Sequence, residues 1–325
     1  MKRREFIALI GATVAWPFAA HAQQPTMPVI GFVSPATSAE QITDLLAAFR
    51  RGLAQTGYLE GKNVAMEYRF TNWRPELMAE AVADFVQRNV HVIFAPTPEA
   101  SAAVRNATTT IPFVALDLES DPIAMGYVKS LARPGGNITG MFLDLPELGG
   151  KQVGLLKEIV PRLSRVAIFG IPGLNAAQFV ATERAIRALG LEAEVIEVRV
   201  ADDLAPALEA ARTKHVEVGI LLSSPLVFAS SKQIGELAIA NRIPLISLFG
   251  EFPKAGGLIA YGPNVGDMFR TCADYVGKIL RGAKPSELPI QRPERFDLVI
   301  NLKTATALGL DVPSQLQQLA DEVIE

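Results

Sequence analysis

Cysteine is almost absent from this chain: Cys272 is the one thiol in 325 residues, so no intramolecular disulfide can form. It falls in phase with Met268, Tyr275, Val276 and Ile279 on an apolar helical stripe, the pattern of a core thiol rather than a nucleophile. Histidine is nearly as scarce. Beyond Ala22 there are only His91 and His215, each at the start of a strand-like run, and general-base or zinc chemistry is not expected of either. No nucleophile elbow, phosphate loop, HExxH or paired-cysteine motif occurs. Ser34-Pro35-Ala36-Thr37 stands after the first strand, where a dinucleotide site would need G-x-G-x-x-G, so no cofactor and no metal is expected. Charged residues make up 20% of the chain with a formal net charge of −3, which argues against a nucleic-acid partner.

What is present is apolar and long enough for two domains: 49% of 325 residues are hydrophobic. The first residues have the parts of an export signal. Lys2-Arg3-Arg4 is basic, Phe6 to Ala20 is apolar but short and interrupted by Pro17, and Ala20-His21-Ala22 is a small-x-small cleavage site. With no cysteine at that site a lipid anchor is not expected, and a free periplasmic protein, cleaved after Ala22, follows. Arg3-Arg4-Glu5-Phe6 leaves twin-arginine export open beside the general route.

Beyond the leader, strand-like and helix-like segments alternate, as in a parallel sheet with helices on its faces. Val29 to Val33 reads as a strand, followed by a helix that a Ser38/Gln41 capping box opens and Leu45, Phe49 and Leu53 bury. Asn63 to Phe70 is a second strand, Pro75 to Arg88 a helix, His91 to Ala95 a third strand. Ile111 to Leu116 reads as a strand buried on both faces and ends in the acids Asp117, Glu119 and Asp121. The pattern then repeats. Val166 to Gly170, Glu192 to Val200, Val216 to Leu222 and Ile243 to Leu248 restate the strands of the first half, so two doubly wound, Rossmann-like α/β lobes are expected.

In open α/β sheets ligands lie beyond the carboxyl ends of the strands, and candidate binding residues are read from those ends. They are Ser34 and Thr37 after the first strand, Thr97 after the third, and Asp117, Glu119 and Asp121 after the fourth. From the second half come Gly173, Asn175, Ser223, Ser224, Phe249, Glu251 and Tyr261. Thr97-Pro98 and Ser224-Pro225 each place a hydroxyl at a helix cap, where free N–H groups attract a carboxylate. Four acids around the same crevice would suit an amino or amide group instead, so an amino acid or a related amino, amide or aromatic compound is the expected ligand. Phe249 and Tyr261 are candidates to stack on it.

The chain resembles the substrate-binding proteins of ABC transporters of the tryptophan/tyrosine-uptake type. The residues that carry the resemblance are Asp121-Pro122, Ser130 to Asn137 with Thr139-Gly140, Gly256-Gly257 with Tyr261-Gly262-Pro263, Phe269-Arg270, Gly282 to Pro285, Asn301-Leu302-Lys303 with Leu308-Gly309, and Ala320 to Ile324. One departure falls at the crevice, where the link between strand and Asp-Pro is lengthened by about Leu118-Glu119-Ser120. The resemblance implies the type I periplasmic binding fold, a hinge crossed about three times, no reaction of its own, and delivery of a small molecule to an ABC permease by a monomer. Lobe one would take residues 27–141 plus about 264–286, and lobe two 142–263 plus about 287–325. A sensor that shows its loaded form to a membrane receptor is the alternative role; a hydrolase built on Ser34 or Ser223 lacks a base.

Overall fold

The computed structural model describes residues 27–143, 148–171, 173–174 and 176–325. The leader and its cleavage site, and Asn175, lie outside the described residues. The chain builds two sheets, of which the first has five strands in the order β2-β1-β3-β4-β5, all parallel. In chain order its elements are β1 (Val29–Ser34), α1 (Thr43–Gln55), β2 (Ala65–Phe70), α2 (Pro75–Gln87), β3 (Val92–Ala95), α3 (Pro98–Ala107), β4 (Phe113–Asp117) and β5 (Ile138–Phe142).

The second half begins with α4 (Leu148–Ile159), β6 (Arg165–Gly170), α5 (Ala176–Ala188), β7 (Glu192–Glu197), α6 (Leu204–Thr213) and β8 (Val218–Leu221). It continues through α7 (Pro225–Ala229), α8 (Ser231–Asn241), β9 (Leu245–Ser247), α9 (Glu251–Lys254) and β10 (Ile259–Pro263). A long helix, α10 (Val265–Leu280), precedes β11 (Phe296–Asn301), α11 (Leu302–Leu308), α12 (Ser314–Leu319) and β12 (Glu322–Ile324). These strands form a seven-stranded sheet, β12-β11-β10-β9-β8-β6-β7, parallel except where β10 meets β11. Strand runs buried on both faces, such as FVALD in β4 and VGIL in β8, follow from helices covering each side.

α10 lies between β10 and β11 in sequence but packs on the first sheet. Phe269 meets Phe94 of β3 edge to face at 5.3 Å, and Cys272 Sγ lies 3.8 Å from the Ala115 carbonyl of β4. Cys272 is fully buried, and that burial pushes its thiol far up, which suits a core residue. The chain therefore passes between the two halves three times: from β5 to β6, from β10 to α10, and from α10 to β11.

One local expectation is corrected. Ser38 and Gln41 do not form a capping box: a single 3₁₀ turn, Glu40–Ile42, precedes α1, and Gln41 Oε1 accepts from the N–H and hydroxyl of Thr37 instead.

Candidate functional site

The loops beyond the carboxyl ends of β1, β2, β3 and β4 face α7 and the end of β9 across a cleft, and the two halves touch there. Ser223 Oγ, after β8, donates to Glu119 Oε1, after β4, at 2.6 Å, and Gln178 Nε2 of α5 donates to the Leu118 carbonyl at 2.9 Å. These cross-cleft bonds hold the halves closed.

They enclose a cavity of about 170 Å³. The first half supplies Ser34 to Ala36, Gln41, Ile42, Leu45, Trp73, Pro96 to Pro98, Leu116, Leu118 and Glu119, and the second supplies Pro225, Phe228, Ala229 and Phe249. Val265 and Phe269 of α10 complete it. Its walls are mostly apolar: Phe228 and Phe249 meet edge to face at 5.1 Å, and no Lys, Arg or His is among the described residues that line it. A cavity of roughly 150 Å³ lined by apolar side chains takes a benzene ring, so this one has room for a ring and a few further atoms.

Polarity is concentrated at Glu119. The residue is 7% exposed; Oε1 takes the Ser223 bond and Oε2 accepts from the Leu118 N–H at 3.2 Å. Burial, with the charge of Asp117 as the next cause, pushes its carboxyl up to about 8, and the Ser223 bond only partly opposes this. Asp117, fully buried at the last position of β4, does not line the cavity. Its Oδ1 accepts from the N–H groups of Glu119 and Ser120 at 3.0 and 2.9 Å, whereas Oδ2 is buried with no hydrogen-bond partner among the described residues. Burial pushes Asp117 up as well; Glu99 on α3 is nudged up by crowding and, less, by Asp117, but its side chain is exposed to solvent, which screens the effect. Two buried neighbouring acids, Asp117 and Glu119, with no basic partner among the described residues, thus favour bound protons or an incoming cation.

Of the residues expected from sequence, Ser34, Thr97, Glu119 and Phe249 line the cavity, and Ser223 reaches it through Glu119. Ser34 Oγ accepts from the Ala36 N–H at 3.2 Å. Thr97 and Ser224 cap their helices, accepting from the N–H groups of Ala100 at 3.2 Å and Val227 at 3.1 Å. Other candidates stand apart. Thr37 is exposed on Gln41, and Asp121 Oδ1 accepts from Ile123 and Ala124 N–H to shape a turn. Gly173 is exposed with φ +97°, in the left-handed region glycine favours. Glu251 opens α9 and is raised by burial, and Tyr261 stacks on Phe296 at 5.8 Å; neither lines the cavity. Trp73, Gln41, Phe228 and Phe269 were not among the expected residues. Trp73 sits just past the end of β2, so the strand-end rule that selected Asp117 points to it equally.

Residues 27–324 match the family model of ABC transporter substrate binding proteins. The chain is 22% identical over 266 residues to the tyrosine-binding protein of Clostridioides difficile strain R20291, covering 81% of this chain and 75% of that protein. A conserved domain protein of Vibrio cholerae superposes with a TM-score of 0.82 at 25% identity, covering 91% of this chain and 99% of that one. An ABC domain from Streptococcus pneumonia in complex with L-Trp gives 0.83 at 20% identity, with the same coverage. The two sheets, mostly parallel and joined by three passages of the chain, are thus the two lobes of the type I periplasmic binding fold. With the match spanning nearly every described residue, the chain belongs to the ABC transporter substrate-binding protein family.

Proposed function

We propose that the protein captures a small compound bearing a flat or apolar group and an amino or amide group between its lobes and delivers it to an ABC permease. The observation that carries this is Glu119, a buried acid in the wall of an aromatic-lined cavity that has no cationic side chain among its described lining residues. An ammonium or amide N–H set against Glu119 satisfies a group that the fold otherwise leaves costly, while the ring fills the apolar remainder. The tyrosine named for one relative and the tryptophan bound by another are compounds of this class. We take the protein to act as a monomer. The crossings between lobes would serve as a hinge, with ligand stabilising the closed arrangement by touching both sides.

A thermal-shift screen of aromatic amino acids, arylalkyl amines, aryl amides and dicarboxylates tests the ligand class. At a hundredfold excess over its Kd a true ligand adds about 2.7 kcal/mol, which raises the melting temperature by several degrees. Amines or amides with a ring are expected to do so and dicarboxylates are not. Stabilisation by a dianion alone would end this reading.

No helix among the described residues is long and apolar enough to cross a membrane. We place the protein free in the periplasm, its leader removed after Ala22. Intact mass of exported protein is expected to match a chain starting at Gln23; retention of Phe6 to Ala20, or added acyl mass, would contradict that.

A further inference from the structure

We propose that Trp73 is the specificity-determining wall of the cavity, selecting a planar aromatic ring over a saturated one of the same size. The inference rests on the amphipathic-ligand reading above and goes beyond it by assigning ring selection to one side chain.

Trp73 lines the cavity yet is 42% exposed, among the large apolar side chains that the fold leaves open to solvent. It belongs to none of the buried apolar clusters that hold the lobes together, and no ring contact with another aromatic is found for it among the described residues. Packing of the lobe does not account for an indole at this position.

The backbone beneath it is in an uncommon conformation. Asn72 and Trp73 have φ of +48° and +59°, two successive residues with a Cβ in the left-handed region. The turn is tied to the segment after β1: Thr71 N–H donates to Ser34 O at 3.0 Å, Asn72 N–H to Ala36 O at 3.3 Å, and Trp73 N–H to Pro35 O at 2.9 Å. Ser34, Pro35 and Ala36 line the same cavity, so the turn that carries the indole is tied by its main chain to another part of the cavity lining. On the second lobe the cavity presents Phe228 and Phe249. A flat ring between these walls gains offset or edge-to-face contact with each, and an ammonium near the indole face gains a cation–π contact; a saturated ring gains area burial alone.

The test uses the exported protein starting at Gln23, in which Trp73 is the one tryptophan. Its fluorescence and thermal shift are titrated with L-phenylalanine and with β-cyclohexyl-L-alanine. L-phenylalanine is expected to bind more tightly and to change the Trp73 emission. Trp73→Ala should weaken L-phenylalanine roughly tenfold and the cyclohexyl analogue by much less, and Trp73→Phe should keep the preference. If L-phenylalanine stabilises the protein while Trp73 emission stays unchanged, or if Trp73→Ala weakens both compounds equally or neither, the wall assignment is wrong and the ligand class survives. If L-phenylalanine gives no thermal shift while a non-aromatic amine does, ring selection falls and an amine receptor remains. No shift from any ring-bearing amine or amide removes both readings together.

Discussion

Ligand-free protein is expected to be most stable and most compact near pH 5, and to lose both properties as the pH rises through about 8, with Glu119→Gln abolishing most of the change. The ordinary value for this carboxyl is 4.5, and burial raises it to about 8 in the closed fold. The folded state therefore holds a proton that the unfolded chain has released throughout that interval. Stability from this group is complete below the ordinary value and is lost as pH climbs to the raised one, by up to about 1.4 kcal/mol per pH unit. Asp117, buried beside it, is raised as well and pushes in the same direction. Opening the cleft is a second route of relief, because breaking the Ser223 bond lets water reach Glu119; scattering should report a larger radius of gyration at high pH. An ammonium placed against Glu119 does the proton's work, so a bound amine should flatten the pH dependence of the parent. Glu119→Gln should also weaken that amine by roughly ten- to a hundredfold, the worth of a charge-assisted bond. Equal pH slopes in parent and variant, measured by thermal unfolding, would show that Glu119 is ionised in the closed fold.

How much of this was legible in the sequence differs by kind of residue. Strand runs such as Phe113 to Asp117 and Val218 to Leu221 stand out because burial on both faces demands unbroken apolar residues, and the Pro-led helices after Thr97 and Ser224 announce their own caps. Which way a strand-end side chain points is not written so plainly. Asp117 and Glu119 read alike as acids after a strand, yet one turns its Oδ1 back on the loop and the other closes the cleft. Tyr261 lies on a strand whose partner, β11, runs antiparallel, and its ring goes to Phe296 rather than to the cavity. Trp73 stands in a turn, where no periodicity marks it and only its place after β2 could have pointed to it, and Phe269 drew notice only as part of the family resemblance. The cavity is a product of two lobes meeting, and a local pattern cannot report a contact between residues some hundred positions apart.

Gly52→Ala is expected to destabilise the protein although alanine is the better helix former, and Gly52→Val to destabilise it severely. Gly52 is buried in the middle of α1, where glycine costs about 1 kcal/mol relative to alanine. A Cβ there would stand 2.4 Å from the Arg270 carbonyl oxygen and 2.9 Å from both Arg270 Cα and Ala273 Cβ, all on α10. Backbone atoms cannot swing aside as a flexible side chain does, so the two helices must separate. Separation pulls Met268, Phe269, Cys272 and Val276 from the stripe of Leu45, Leu46, Phe49 and Leu53. Overpacking of this kind costs roughly 1–3 kcal/mol, and more where the obstacle is main chain. Gly154 supplies the control, since it also lies inside a helix, α4, but a Cβ there meets nothing within 4 Å. Gly154→Ala should stabilise by about 0.5–1 kcal/mol, giving opposite signs for one chemical change. The contrast probes how this chain is threaded: α10 leaves the second sheet after β10 and must seat against α1 before β11 returns, so its fit against Gly52 fixes both the first lobe and two of the three passages between lobes. Melting temperatures of the two alanine variants decide it; a Gly52→Ala protein as stable as Gly154→Ala would mean that α1 and α10 do not meet main chain to main chain.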